Sequence, residues 1–185
     1  MIGAITAGLF STGTAASTNS YESIATVTVG SGGQSSISFS SIPSTYKHLQ
    51  LRYITNNTSA AYYVLLRFNS DSGTNYASHQ LTGNGTTASA GGTASNTLIE
   101  LPRNSGTYSS SIMSTGVVDI LDYLNTSKYK TVRSLGGYDT NGNGQAVDFN
   151  SGVWMNTGAI TSITLSAVGG NYNTNSQFAL YGIKG

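Results

Sequence analysis

Charged residues are scarce in this sequence. Aspartate, glutamate, lysine and arginine make up 8% of its 185 residues, whereas about a quarter of an ordinary soluble domain is charged. Serine, threonine and asparagine therefore supply most of the polar groups. Because neutral polar groups cost less to desolvate than ions do, such a surface suits permanent contact with a partner.

Cysteine is absent as well, so no disulfide and no thiolate zinc site holds the fold. The few lysines and arginines are dispersed and the net charge is only +1, which predicts no electrostatic surface for nucleic acid or for an anionic membrane. The apolar runs are also too short for a membrane-spanning helix. We therefore expect neither nucleic acid nor a membrane as a partner.

The segment 1–20 is apolar and uncharged. It lacks the cationic start of a signal peptide, since the first lysine or arginine is Lys47. We interpret it as an N-terminal arm, which is either an edge strand of the same domain or an extension that docks on a neighbour. Its large apolar side chains, which we take as candidate assembly contacts, are Ile2, Ile5, Leu9 and Phe10.

From Tyr21 onward the dominant period is two, as in half-buried strands. Glycine- and asparagine-rich turns separate the alternating stretches, and the polar stretch 82–96 is interpreted as a loop. No stretch predicts a helix, although residues 121–125 are compatible with a single helical turn. The pattern predicts one domain over residues 21–185, an all-β antiparallel sandwich or jelly roll of about eight to ten short strands. The candidate strands cover residues 25–29, 37–39, 49–53, 62–68, 97–101, 116–122, 129–135, 146–155, 160–168 and 177–183.

No pattern of catalytic residues is present. His48 and His79 are isolated and belong to no recognised catalytic spacing. The closest carboxylate pair is Asp119 and Asp122, but residues three apart in a strand point to opposite faces. We therefore predict a protein that is not an enzyme, with no catalytic residue and no cofactor.

The run Asp139–Gly144 matches the opening of a calcium-binding loop. The match fails at the twelfth position, where Asn150 replaces the bidentate glutamate, and no helix is expected on either side. Its two Asn-Gly pairs suit the positive φ angles of a hairpin turn. We favour the turn and predict no metal site.

Aromatic residues raise carbohydrate binding as an alternative, because sugars stack on exposed rings. Half of the aromatics in alternating strands face the core, however, and exposed ones are common at protein interfaces. Core or interface roles are therefore favoured. The rings concerned are Trp154, Tyr172, Tyr181 and the pair Tyr62 and Tyr63.

Two stretches, 21–53 and 160–184, resemble small virion proteins of tailed bacteriophages, especially those of cyanobacterial and other aquatic hosts. They read YESIATV through SIPSTYKHLQLRY, and ITSITL through FALYGIK. The resemblance implies a β-sandwich on the virion surface, with a capsid decoration or cement protein as the first expectation. Its partners would be further copies of itself, as a homotrimer, and the major capsid protein or another virion protein. A tail fibre, spike or receptor-binding protein that contacts a host-surface glycan is the alternative.

Overall fold

The computed structural model describes residues 20–59, 63–142 and 144–185. The candidate assembly contacts Ile2, Ile5, Leu9 and Phe10 lie outside these residues, so their role stays a prediction. The described residues form twelve strands. Their bounds are Tyr21–Thr28 (β1), Ser36–Phe39 (β2), His48–Thr55 (β3), Tyr63–Phe68 (β4), Tyr76–Gly83 (β5), Ala88–Asn96 (β6), Ile99–Arg103 (β7), Ser114–Ile120 (β8), Lys130–Asp139 (β9), Gln145–Trp154 (β10), Ile163–Ala167 (β11) and Gln177–Ile183 (β12).

The strands pair antiparallel in two sheets. One sheet has eight strands in the order β1-β12-β3-β8-β9-β10-β5-β6, and the other has four in the order β2-β11-β4-β7. Alternate side chains of both sheets form one buried core, as period-two alternation requires. This arrangement confirms the predicted antiparallel β-sandwich, and the jelly-roll topology within that class stays a prediction. The largest buried core side chains include Trp154, Tyr76, Tyr123, Tyr172, Phe68 and Phe178.

The prediction of a loop over residues 82–96 was wrong. The end of β5 and all of β6 occupy this stretch, joined by a four-residue turn. The Asn84 side chain holds the turn, because its Oδ1 accepts the backbone N–H of Thr86 at 3.0 Å and of Thr87 at 2.8 Å. Backbone pairing with β5 thus forms a strand whose own residues are too small and polar to signal one.

A hydrogen-bonded turn follows β8, where the Asn125 N–H donates to the carbonyl of Asp122 at 2.9 Å. Buried Lys130 secures this segment through its ammonium group, which donates to the carbonyls of Asn125, of Lys128 at 3.2 Å and of Thr157 at 3.1 Å. The part of the chain that the structure describes contains no helix long and apolar enough to cross a membrane.

Candidate assembly surface

The outer face of the eight-stranded sheet carries a row of exposed apolar side chains. Leu81 on β5 lies opposite Phe149 on β10, and Phe149 lies opposite Leu135 on β9. Leu135 in turn lies opposite Val117 on β8, and Val147 stands beside Phe149 on the same face. Their exposed fractions are 54% for Leu81, 47% for Phe149, 56% for Leu135, 40% for Val117 and 64% for Val147. We call these five residues the apolar stripe.

Buried polar contacts determine which face of β10 is outward. Asp148 is fully buried, and its carboxylate accepts hydrogen bonds from the Thr82 hydroxyl at 2.7 Å and the Arg103 N–H at 3.0 Å. Asn150, also buried, donates through Nδ2 to the carbonyl of Glu100 at 3.1 Å. Because alternate residues of a strand face opposite ways, these inward groups direct Val147 and Phe149 to the surface.

An open groove of about 940 Å³ runs beside the stripe. Its floor requires glycine at position 137, because a Cβ there would lie 2.2 Å from the backbone oxygen of Ala146. The glycine therefore lets the backbones of β9 and β10 approach closely at the groove. Residues that line the groove include Arg52, Met113, Val117, Leu135, Gly137 and Val147.

The surface around the stripe is divided by charge. Strands β5 and β6 contain no Asp, Glu, Lys or Arg, and the one such residue of β10 is the buried Asp148. On the other side, Asp119 accepts hydrogen bonds from Arg133 at 2.9 Å and from Gln50 at 2.8 Å. Partial burial disfavours its ionised form, but these hydrogen bonds outweigh that effect and lower the pKa of Asp119. Asp119 and Arg133 on this face are therefore paired with each other.

Three side chains form an aromatic and cationic cluster on the β1–β12–β3 side of the same sheet. The Arg52 guanidinium lies 5.8 Å from the ring centre of Tyr21 and 5.2 Å from that of Tyr181. Tyr21 is 46% exposed. These distances are typical of cation–π contacts, which orient the rings at the surface.

The other aromatics proposed for sugar binding are placed differently. Trp154 and Tyr172 are buried in the core and have no face for a ligand. The half-buried Tyr63 has its ring 5.6 Å from the Arg103 guanidinium, and Tyr62 lies outside the described residues. A sugar site that uses Trp154 or Tyr172 is therefore excluded.

The two histidines lie on different strands, with β8, β9 and β10 between them. His48 Nδ1 accepts the backbone N–H of Asp122 at 2.9 Å. His79 is exposed on β5, opposite Ser151. The structure does not bring the two into one site.

Asp119 and Asp122 also have separate partners. Hydrogen bonds from Lys128 and Lys47 lower the pKa of Asp122 to about 2, and the Lys47 Nζ lies 3.2 Å from one carboxylate oxygen. Asp119, by contrast, bonds to Arg133 and Gln50 on the sheet. The two carboxylates thus form structural ion pairs with different cations.

The calcium-like run lies at the turn between β9 and β10. Asp139 Oδ1 accepts the N–H of Asn141 at 2.7 Å, and Asn141 and Gly142 have φ angles of 56° and 116°. Asn143 is outside the described residues, and Asn150 lies inward on β10. Across residues 20–59, 63–142 and 144–185, no three histidine or acidic side chains gather as metal ligands would.

Comparison with known proteins finds no relative: no family model matches this chain, and neither a curated protein nor a solved structure does. The surface residues must therefore be interpreted from their own geometry and chemistry.

Sequence reasoning missed the apolar stripe as a site. Its signal was present in β10, where Val147, Phe149 and Val153 alternate with polar or small residues. Such alternation ordinarily predicts that the apolar positions face the core. Here the polar side chains face inward instead, and only their partners on β5 and β7 show why.

Proposed function

We propose that this protein is a non-enzymatic structural protein of a tailed phage virion, a decoration or cement protein that binds the major capsid protein on the outside of the head. The apolar stripe is the observation that carries this proposal. Five large apolar side chains in one patch are unusual on a free monomer and typical of a protein-binding surface. The virion setting comes from the resemblance of residues 21–53 and 160–184.

The energetics support a protein partner with a broad surface. Full burial of a large apolar side chain is worth about 1.5–3 kcal/mol, so covering five half-exposed ones contributes about 5 kcal/mol. This is near the lower end of the cost of association, about 4–15 kcal/mol. The uncharged surface of β5, β6 and β10 supplies further area at little desolvation cost. The outside of a capsid shell, which presents many identical sites, offers a surface of the breadth that this contact needs.

The test is attachment to particles from which the protein has been removed. Leu135→Glu and Phe149→Glu each place a charge in the middle of the stripe and should reduce co-sedimentation at least tenfold, with an unchanged circular dichroism spectrum. Thr131→Glu, also exposed on β9 but outside the stripe, is the matched control. Normal attachment of both stripe variants would exclude the stripe as the capsid contact.

A tail-fibre or receptor-binding role is the second candidate. The cluster of Tyr21, Arg52 and Tyr181 favours it, because the exposed Tyr21 ring, oriented by the cation, offers a stacking surface for a host-surface glycan. Labelled antibodies on intact particles would distinguish the two, by binding to the head or to the tail.

A further inference from the structure

Exposed sheet edges are where strands of other chains can add, and natural proteins protect them with charge, proline, bulges or short length. The described residues contain four edge strands, β1, β2, β6 and β7. Strand β1 carries Glu22 and a bulge between Ser23 and Ala25. Strand β2 has four residues, and β7 contains Glu100, Pro102 and Arg103. Three of the four edges are therefore protected.

Strand β6 has neither charge nor proline, and its one irregularity lies at its end, between Thr93 and Asn96, so the six residues 88–93 pair regularly with β5. Its nine residues, ASAGGTASN, include no charge and no proline. Six of them are exposed, and the others are half-buried. Within the described chain its hydrogen-bonded neighbour is β5 alone. An edge that is this long and uncharged is ready to pair with another strand.

The register shows which backbone groups are free to pair. The Asn84 N–H donates to the Thr87 carbonyl at 3.2 Å, and pairing with β5 then continues from Gly83 opposite Ala88 to Ser78 opposite Thr93. Hydrogen-bonded and non-hydrogen-bonded pairs alternate in an antiparallel ladder. The N–H and C=O groups that point away from β5 are therefore those of Ala88, Ala90 and Gly92.

We propose that β6 pairs antiparallel with β6 of a second copy of this chain, about a twofold axis. This contact adds to the proposed function the surface through which two copies associate. Its place on a virion rests on that proposed function. A twofold contact places like residues near one another, and like charges directly opposite destabilise a strand pair. Strand β6 has no charge to repel its copy, and its small side chains do not obstruct the approach.

The same contact would enlarge the capsid-binding face. Ala90 lies directly opposite Leu81, the β5 member of the apolar stripe. Pairing through β6 therefore joins the stripes of two copies across one continuous sheet. Two linked stripes bind a repetitive shell more tightly than one, because the second contact forms at a high effective concentration.

The test is the mass of the full chain by light scattering and sedimentation equilibrium at micromolar concentration. We expect twice the monomer mass of 19.2 kDa, a dimer in place of the homotrimer that the resemblance implies. Ala90→Pro removes an outward N–H without removing a bond to β5 and should give the monomer mass. Ala90→Ser retains the N–H and should remain dimeric. Ala90→Lys adds like charges across the twofold axis and should also give a monomer, even if the proline variant fails to fold.

Ser23→Lys, on the edge strand β1 at the other end of the sheet, is the control for the effect of an added charge. It should leave the dimer intact. A monomeric or trimeric wild type, or a dimer that survives in folded Ala90→Pro and Ala90→Lys, would overturn the proposal. A monomeric wild type that dimerises when residues 2–18 are deleted would also overturn the proposal, since residues 2–18 would then cover the β6 edge. Co-sedimentation with particles is measured separately, so a monomer that still binds particles refutes only the β6 contact.

Discussion

Asp148 and Phe149 are adjacent on β10, yet the carboxylate is fully buried while the aromatic ring is 47% exposed. This reverses the usual arrangement of a half-buried strand. Asp148 bonds to Thr82 on β5 and to Arg103 on β7, so it links three strands. A one-residue slip of β10 would break these bonds and turn Val147 and Phe149 inward. The buried carboxylate thus keeps the two stripe residues of β10 at the surface.

Replacing Asp148 with alanine should lower the free energy of unfolding by about 3 kcal/mol, because it leaves the Thr82 hydroxyl and the Arg103 N–H and guanidinium without their partner. Phe149→Ala, at the next position, should change it by less than about 0.5 kcal/mol. Urea denaturation followed by fluorescence measures both. Equal effects of the two substitutions would contradict the assigned role of Asp148.

Lys130→Met should lower the free energy of unfolding by about 2–4 kcal/mol, since it leaves three carbonyl groups without their charged donor. The carbonyls belong to Asn125, Lys128 and Thr157, so the turn after β8 should also loosen. Lys184→Met is the control, because that lysine pairs with Glu22 on β1, away from this turn. Faster amide hydrogen exchange over residues 121–128 in the first variant alone would support this role, and no difference would refute it.

Asp71 should make the free energy of unfolding depend on pH in the acid range. Hydrogen bonds from Asn75, Gly73 and Trp154 lower its pKa from 3.8 to about 2. The folded state therefore favours the ionised form, a stabilisation present above pH 3.8 and lost as the pH falls towards 2. Asp71→Asn should reduce the loss of stability between pH 3.8 and pH 2. Trp154, the single tryptophan, reports unfolding by fluorescence, and an unchanged pH dependence in the variant would count against Asp71 as a source.

Deletion of residues 2–18 should leave a folded β-domain that no longer attaches to particles. The apolar side chains Ile2, Ile5, Leu9 and Phe10 carry this prediction, because their burial against a partner lowers the free energy. Circular dichroism tests the fold, and co-sedimentation tests the attachment. If the truncated chain fails to fold while the full chain folds as a monomer, the segment is part of the core.

Strands whose side chains alternate could be predicted closely. Residues 177–183 were expected as a strand and form β12, and β3 extends the expected 49–53 by one residue at its start and two at its end. The strand β6 was missed because none of its side chains is large and apolar. Its conformation depends on hydrogen bonds to β5, which propensity in one segment does not report.

The sequence by itself determined the class of the fold and the uncharged character of the surface, because both follow from composition and from period-two alternation. Only the tertiary structure decided which face of each strand is covered. Alternation shows that Val147 and Phe149 share one face and Asp148 and Asn150 the other, but burial of the polar face depends on Thr82, Glu100 and Arg103. These partners lie 45 or more residues away along the chain, and contacts at that separation exist only once the two sheets have packed.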